Sequence, residues 1–196
     1  VVSTCAYKST PHVEEADRVW AERAKLLERD GNDAAAIAFE KKNWYTMEAQ
    51  RYVAPDSFDF IIYSIGVYSN REIVTKACLL LIEKCNKMIS DIENANGDVD
   101  VVPSDSTLSN GYDITLQNED YTLGKCIEHF LHVNHYMGSR TVSFCGFRKN
   151  HPHDTHSMIR VAFYAHTDVD IVHAYLIAAA RDSAAVFKSL ISQIHR

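Results

Sequence analysis

The strongest structural signal in this sequence is Asn118-Glu119-Asp120-Tyr121-Thr122-Leu123-Gly124-Lys125. It lies between a strand-like run at residues 112–116 and a helical run that begins directly after it. Its short polar side chains can bond to nearby backbone N–H groups and start a helix, and its carboxylates favour the positive end of that helix. Gly124 in the first turn is costly for a helix unless another backbone approaches closely. The pattern predicts a strand-to-helix turn in which the carboxylates start the helix and do not act as acid–base catalysts.

A strand followed by a capped helix is predicted twice more. Residues 58–68 form a β-branched and aromatic run, Ser69 and Glu72 then match a capping box, and an amphipathic helix continues to about Asn94. Residues 158–164 alternate as a strand does, residues 167–170 resemble a capping box, and a long helix follows. Both helices need a partner for an apolar stripe, so we expect them to pack on each other. The predicted helix-packing residues are Val74, Leu81, Met88, Leu176, Val186 and Leu190.

Charge and composition limit the classes of function. The net charge is −6, and phosphate binding calls for clustered Lys and Arg, so no direct specific binding of nucleic acid is expected. No apolar run approaches the ~18 residues of a membrane span. The five cysteines form no CxxC pair, and an odd count without a secretory context favours reduced thiols in a cytosolic or nuclear compartment.

Ten histidines raise the alternative of a metal-dependent enzyme. His129, His132 and His135 are three apart, and a second group crowds residues 151–156. Neither group has the ligand spacing of a zinc site, and no HExxH, GxSxG or phosphate-cradling loop is present. The expectation is no catalytic residue, no metal and no cofactor, with the histidine-rich enzyme kept as an alternative.

The C-terminal half resembles the eleventh-subunit family of cellular RNA polymerases, relatives of the dimerisation domain of the bacterial alpha subunit. Besides residues 118–125, the run 144–152 looks like the family's strand that ends in Gly-aromatic-x-x-x-His-Pro, and residues 158–161 look like its next strand. The family usually has His at position 121 and Asn at position 125. The positions that match its motifs are Asn118, Glu119, Asp120, Thr122, Leu123, Gly124, Gly146, His151 and Pro152.

Residues 58–66 are similar to the last strand of the polymerase's third subunit. Third-subunit and eleventh-subunit sequences on one chain resemble the fused subunits of large DNA viruses such as African swine fever virus. The resemblance implies a non-catalytic assembly platform that docks the two largest polymerase subunits, contacts small zinc-binding subunits, and works in the host cytoplasm and virion. A free-standing dimeric scaffold is a further alternative.

The implied fold is α+β. An alpha-subunit-like dimerisation fold is expected, in which two strand–long-helix halves form an intramolecular pseudo-heterodimer. The predicted divisions are a variable helical segment with the end of a third-subunit-like insert at 1–55, a third-subunit-like strand and helix at 56–97, a linker at 98–110 and an eleventh-subunit-like domain at 111–196. Because the chain begins with Val and the family has further strands before this region, we expect it to be part of a longer subunit.

Overall fold

A computed structural model describes residues 1–195 and divides the chain into two compact units, Val1–Asn70 (unit 1) and Arg71–Arg196 (unit 2). Helices combine with two antiparallel sheets, which confirms the α+β class. The unit boundary lies inside the predicted third-subunit-like segment 56–97, so the strand and the long helix of that segment belong to different units.

Unit 1 is a two-stranded antiparallel sheet with a helical insertion. Strands β1 (Val2–Pro11) and β2 (Val53–Ser64) pair only with each other. The insertion contains α1 (Val13–Arg29), α2 (Ala34–Asn43), a π-helical turn at Trp44–Glu48 and a 3-10 turn at Ala49–Arg51. Its small core is formed by Ala16, Trp20 and Trp44. Helix α1 lies in the segment 1–55 that was expected to be helical; His12 is its N-cap, and Gly31 follows it in the left-handed region.

Unit 2 packs helices on one face of a four-stranded antiparallel sheet. Its strands are in the order β3-β4-β6-β5. The elements are α3 (Asn70–Asn94), β3 (Val99–Pro103), β4 (Gly111–Gln117), α4 (Tyr121–Leu131), a π-helical segment (His132–Gly138), β5 (Val142–Arg148), β6 (His156–Phe163) and α5 (Val169–Ile194).

The core of unit 2 follows the alternation of its strands and the stripes of its helices. Alternate residues of β6 are buried, and Ile159 is fully buried. Helices α3, α4 and α5 cover this face, contributing Cys85, Ile127 and Leu176, each without exposed surface. The strand predicted at residues 158–164 and its inward face are therefore confirmed.

The two long helices are present, but their buried stripes differ from those predicted. Met88 and Leu176 are buried, and Val74 and Leu81 are half-buried. Val186 and Leu190 were wrong as packing residues, since 46% and 40% of their surface is exposed. A long helix with apolar residues on a wide face does not fix which line of them faces the sheet. The buried lines are Cys78, Ile82, Cys85 and Met88 in α3, and Val172, Leu176, Ala179, Ala180, Ser183 and Ala184 in α5.

Side chains of α3 and α5 meet near both ends of the shared stretch. Thr75 Oγ1 lies 3.2 Å from His195 Nε2, and an Arg181 guanidinium nitrogen lies 3.8 Å from a Glu93 carboxylate oxygen. The start of α3 contacts the residue after the end of α5, and the end of α3 contacts the middle of α5, so the two helices are antiparallel. The capping box predicted at 167–170 is wrong, because α5 begins after Asp168 and the Thr167 hydroxyl donates to the Ala165 carbonyl.

The predicted linker at 98–110 is wrong for its first half. Residues 99–103 form β3, which pairs with β4 in the register Val101↔Ile114. Val99 and Val101 pack against the core of unit 2. The abundance of Asn, Asp, Ser and Gly around this short strand concealed its alternating valines. Residues 104–110 form the loop, which ends at Asn110 in the left-handed conformation.

Candidate interaction site

Gly124 and Phe147 join two motifs that are far apart in the sequence. Gly124 is buried in the first turn of α4, and the Phe147 ring from β5 lies directly against it. A Cβ atom at position 124 would be 2.0 Å from Phe147 Cε2 and 2.4 Å from Cδ2. Non-bonded carbon atoms normally stay about 3.5–4.0 Å apart. The close approach expected at Gly124 is therefore real, although a side chain and not a backbone makes it.

Two further contacts hold Phe147 in place, one to its ring and one to its backbone, and an ion pair orients the carboxylate that makes the second. The Tyr121 ring meets it edge to face, with 5.1 Å between centroids at 67°. The Phe147 N–H donates to Glu128 Oε1 over 3.1 Å, and the other Glu128 oxygen accepts from the Lys125 ammonium. Glu128 follows Gly124 by four residues, so both lie on the same face of α4. Strand β5 is thus fixed to the start of α4 by one ring and one carboxylate.

The turn that precedes α4 is built by Asn118 and Asp120. Asn118 has a left-handed φ of 56°, which Asn tolerates better than most residues, and its N–H donates to the Thr155 carbonyl over 2.7 Å. Asp120 is the N-cap, and its Oδ1 accepts from the Thr122 N–H at 3.0 Å. That backbone hydrogen bond, with the nearby Lys149 and Lys84 charges, lowers the pKa of Asp120 below its ordinary value. The predicted role of this carboxylate as a helix-start residue is confirmed.

Glu119 connects this turn to α3. One of its oxygens accepts from Lys84 Nζ over 2.6 Å, and the Glu119 side chain is 18% exposed. Nearby, Lys87 pairs with Asp91 at 2.7 Å and with Asp98 at 2.5 Å, so the end of α3 is fixed to the start of β3. The residues that the sequence analysis placed in two family-like halves are therefore in direct contact within unit 2.

The His151–Pro152 motif forms an exposed turn between β5 and β6. His153 N–H donates to His151 Nδ1 at 3.2 Å, and the His151 N–H donates to Asp154 Oδ2 at 3.0 Å. His151 therefore shapes the turn. Because Asn118 bonds to Thr155, this turn lies at the same end of the sheet as the start of α4. We call this surface, residues 118–124 with 146–154, the motif end of unit 2.

The remaining motif positions, Leu123, Gly146 and Thr122, differ in how far they are exposed to solvent. Leu123 is 2% exposed and belongs to the core. Gly146 is half-buried, and a Cβ atom there would be 3.0 Å from the Phe144 ring. Thr122 is exposed in the first turn of α4. The motif thus contains both interior residues and residues that a partner could touch.

The histidines of α4 and the following segment contact aromatic rings. His135 stacks on Tyr175 with 3.6 Å between centroids at 3°, and His132 stacks on Tyr136 at 4.7 Å. Burial lowers the pKa of His135 below its ordinary value. Within residues 1–195, no three side chains of His, Cys, Asp or Glu are grouped so that they could hold a metal ion.

The cysteines are free thiols of mainly interior character. Cys78 and Cys85 are buried on α3. Burial raises the pKa of the Cys85 thiol to about 11 and that of Cys145 to about 12. These groups are protonated at neutral pH and poor nucleophiles.

No helix in the described part of the chain is long and apolar enough to cross a bilayer.

Sequence reasoning missed three residues that organise the motif end. Phe147 lies in the motif run 144–152, and its partner could not be found from the sequence because 23 positions separate it from Gly124. Glu128 was detectable by its helical spacing from Gly124. Lys84 carried no signal beyond its charge, because only the tertiary fold brings it to Glu119.

No protein-family model matches the chain, and no curated protein matches it.

Proposed function

We propose that this chain is a non-catalytic assembly subunit of a multisubunit DNA-directed RNA polymerase. The observation that carries the proposal is the contact between Gly124 and Phe147. Both residues lie in stretches that resemble the eleventh-subunit family, and each explains the other: the ring fills a space that only glycine leaves open. Two motif matches whose residues are in direct contact are less easily produced by chance than two matches at unrelated places in the structure.

The proposed fold is an alpha-like dimerisation fold contained in one chain. Helix α3 supplies the third-subunit-like part, while β4, α4, β5, β6 and α5 supply the eleventh-subunit-like part. Support comes from the shared core of Cys85, Ile127 and Leu176 and from the Lys84–Glu119 ion pair. In this arrangement the covalent connection through β3 replaces the association of two separate subunits and keeps the parts at high effective concentration.

The proposed work of the chain is to position other subunits. The two largest polymerase subunits dock on it, and small zinc-binding subunits are further partners. The motif end offers exposed residues for such contacts on a rigid base, because Thr122, His151 and Pro152 are exposed while Leu123 and Gly124 are buried. We propose viral transcription in the host cytoplasm and virion as the setting, with no bond-forming step on this chain.

Reconstitution with the two largest subunits of the polymerase from the same source tests this proposal. Thr122→Arg adds bulk and charge to an exposed position of the motif end, and Tyr164→Arg does the same at the opposite end of β6, where the side chain is 70% exposed. We expect Thr122→Arg to reduce the yield of assembled complex at least tenfold and Tyr164→Arg to leave it unchanged. RNA synthesis per assembled complex should be near normal for both.

Two results would contradict the proposal. The first is that the parent chain does not associate with the large subunits. The second is that Thr122→Arg assembles normally but abolishes RNA synthesis, because a positioning subunit has no chemical step to lose.

A further inference from the structure

The sheet of unit 1 presents a face that is apolar, uncharged and open. Directly paired residues of an antiparallel sheet lie on the same face, so the pairing of β1 with β2 defines this surface. Tyr7 contacts Phe58 and Phe60, with ring centroids 6.0 and 5.8 Å apart. We call this face of the sheet the aromatic face, and its residues are Cys5, Tyr7, Ser9, Phe58, Phe60 and Ile62.

The aromatic face is exposed to an extent that isolated sheets rarely sustain. Tyr7 is 68% exposed, Phe60 66% and Phe58 52%. Among residues 1–195, no third strand pairs with β1 or β2, and two-stranded hairpins are at best marginally stable alone in water. Contiguous exposed apolar surface of this kind marks interaction sites. The aromatic face is therefore short of a covering layer.

The charges around the sheet decide what kind of partner fits. The opposite face carries Lys8 paired across the strands with Asp59, whereas none of the six residues of the aromatic face is Asp, Glu, Lys, Arg or His. Exposed rings can stack on nucleic-acid bases, but such sites also need cations for the phosphates. The aromatic face has none. A partner must therefore offer an uncharged apolar surface in return.

We propose that two copies of this chain associate by packing their aromatic faces against each other. When a two-fold axis relates two copies, the same face of each copy packs against the other. Because this face is uncharged, the contact buries no charge and brings no like charges together. If a large aromatic side chain has roughly 200 Å² to bury, the three rings offer about 370 Å² per copy. The flanking Cys5, Ser9 and Ile62 bring the total for two copies near the ~1,000 Å² at which specific interfaces begin.

This area predicts a weak, concentration-dependent dimer. The inference does not depend on the proposed polymerase function, since it rests on unit 1 alone. Cys5 lies on the aromatic face and is exposed, whereas Cys78 and Cys85 are buried and Cys126 and Cys145 are partly buried. Facing sheets are about 10 Å apart, so a flexible bis-maleimide can join the Cys5 thiols of two copies.

Sedimentation equilibrium of the full chain, from low micromolar to several hundred micromolar, tests the proposal. Phe60→Lys places a charge on the aromatic face, and Tyr63→Lys places one on the opposite face of the same strand, where Tyr63 is 62% exposed. We expect Phe60→Lys to raise the dimer dissociation constant at least tenfold and Tyr63→Lys to leave it within twofold. If circular dichroism shows that Phe60→Lys is unfolded, Tyr7→Ser replaces it with the same expectation.

Cross-linking tests independently whether the contact between two copies lies on the aromatic face. The parent chain should give a covalent dimer that disappears in Cys5→Ser and is strongly reduced in Phe60→Lys. A parent chain that stays monomeric at several hundred micromolar overturns the proposal. Equal dissociation constants for the two lysine variants, or a dimer that does not cross-link through Cys5, would also overturn it, because the contact would then lie elsewhere.

Discussion

Gly124→Ala separates helix propensity from tertiary packing. In a helix interior, alanine is about 1 kcal/mol more favourable than glycine, so local preference alone predicts stabilisation. The structure predicts the reverse, because the new Cβ atom would lie 2.0 Å from Phe147 Cε2. The ring must move, and its neighbours Tyr121 and Glu128 oppose the movement.

The cost can be estimated from the contacts that the movement breaks. Removing a half-buried phenylalanine ring from its site loses about 1 kcal/mol of apolar burial. The edge-to-face contact with Tyr121 is worth about 1 kcal/mol, and the backbone hydrogen bond to the Glu128 carboxylate about 2 kcal/mol. After the propensity gain is subtracted, we expect Gly124→Ala to destabilise the chain by about 2–3 kcal/mol, which is also the usual range for overpacking.

Urea unfolding followed by circular dichroism measures this change, with His129→Ala at an exposed position of the same helix as control. The decisive comparison is Gly124→Ala in a Phe147→Ala background, where the ring is absent and the substitution should stabilise by up to ~1 kcal/mol. A stabilising effect in the parent background would refute the reasoning. So would an effect of equal size and sign in both backgrounds.

Three other predictions address the core, an ion pair and the connection. Leu176→Asp buries a carboxylate in the core and should cost several kcal/mol or unfold unit 2, whereas Leu190→Asp, at an exposed site, should stay within about 0.5 kcal/mol by urea unfolding; equal losses would contradict the assigned stripe. The hydrogen bonds from Arg160 lower the pKa of Asp113, so this carboxylate contributes stability above its unfolded pKa of about 3.9 and loses it as pH falls through the lower folded value. The stability gap between the parent and Asp113→Asn should therefore be constant from about pH 7 to 5 and shrink below about pH 4, and a gap unchanged at about pH 2 would exclude this role. Cutting the chain at Ser104–Asp105 should leave a complex that survives gel filtration at micromolar concentration and weakens on dilution, and pieces that separate completely would disprove the shared core.

Local signals in the sequence located most elements of this fold. Asp120 began α4 because a carboxylate that accepts from the second helical N–H needs no distant partner. The alternation in β6 identified its inward face, since side chains of a strand point to opposite sides regardless of what covers them. Each of these features depends on residues within one turn or one strand.

Other features required the chain to come together. The sequence predicted a constraint at Gly124 but could not name the Phe147 ring, because that contact depends on how β5 lies against α4. It could not decide which line of apolar residues on α5 is buried, and Leu190 was chosen wrongly because a long helix with apolar residues around much of its surface satisfies several stripes equally well. The five residues of β3 become a strand only because β4 offers them hydrogen bonds. Propensity and capping act within a few residues, whereas register, burial and ion pairs such as Lys84–Glu119 depend on the relative placement of elements that only tertiary packing decides.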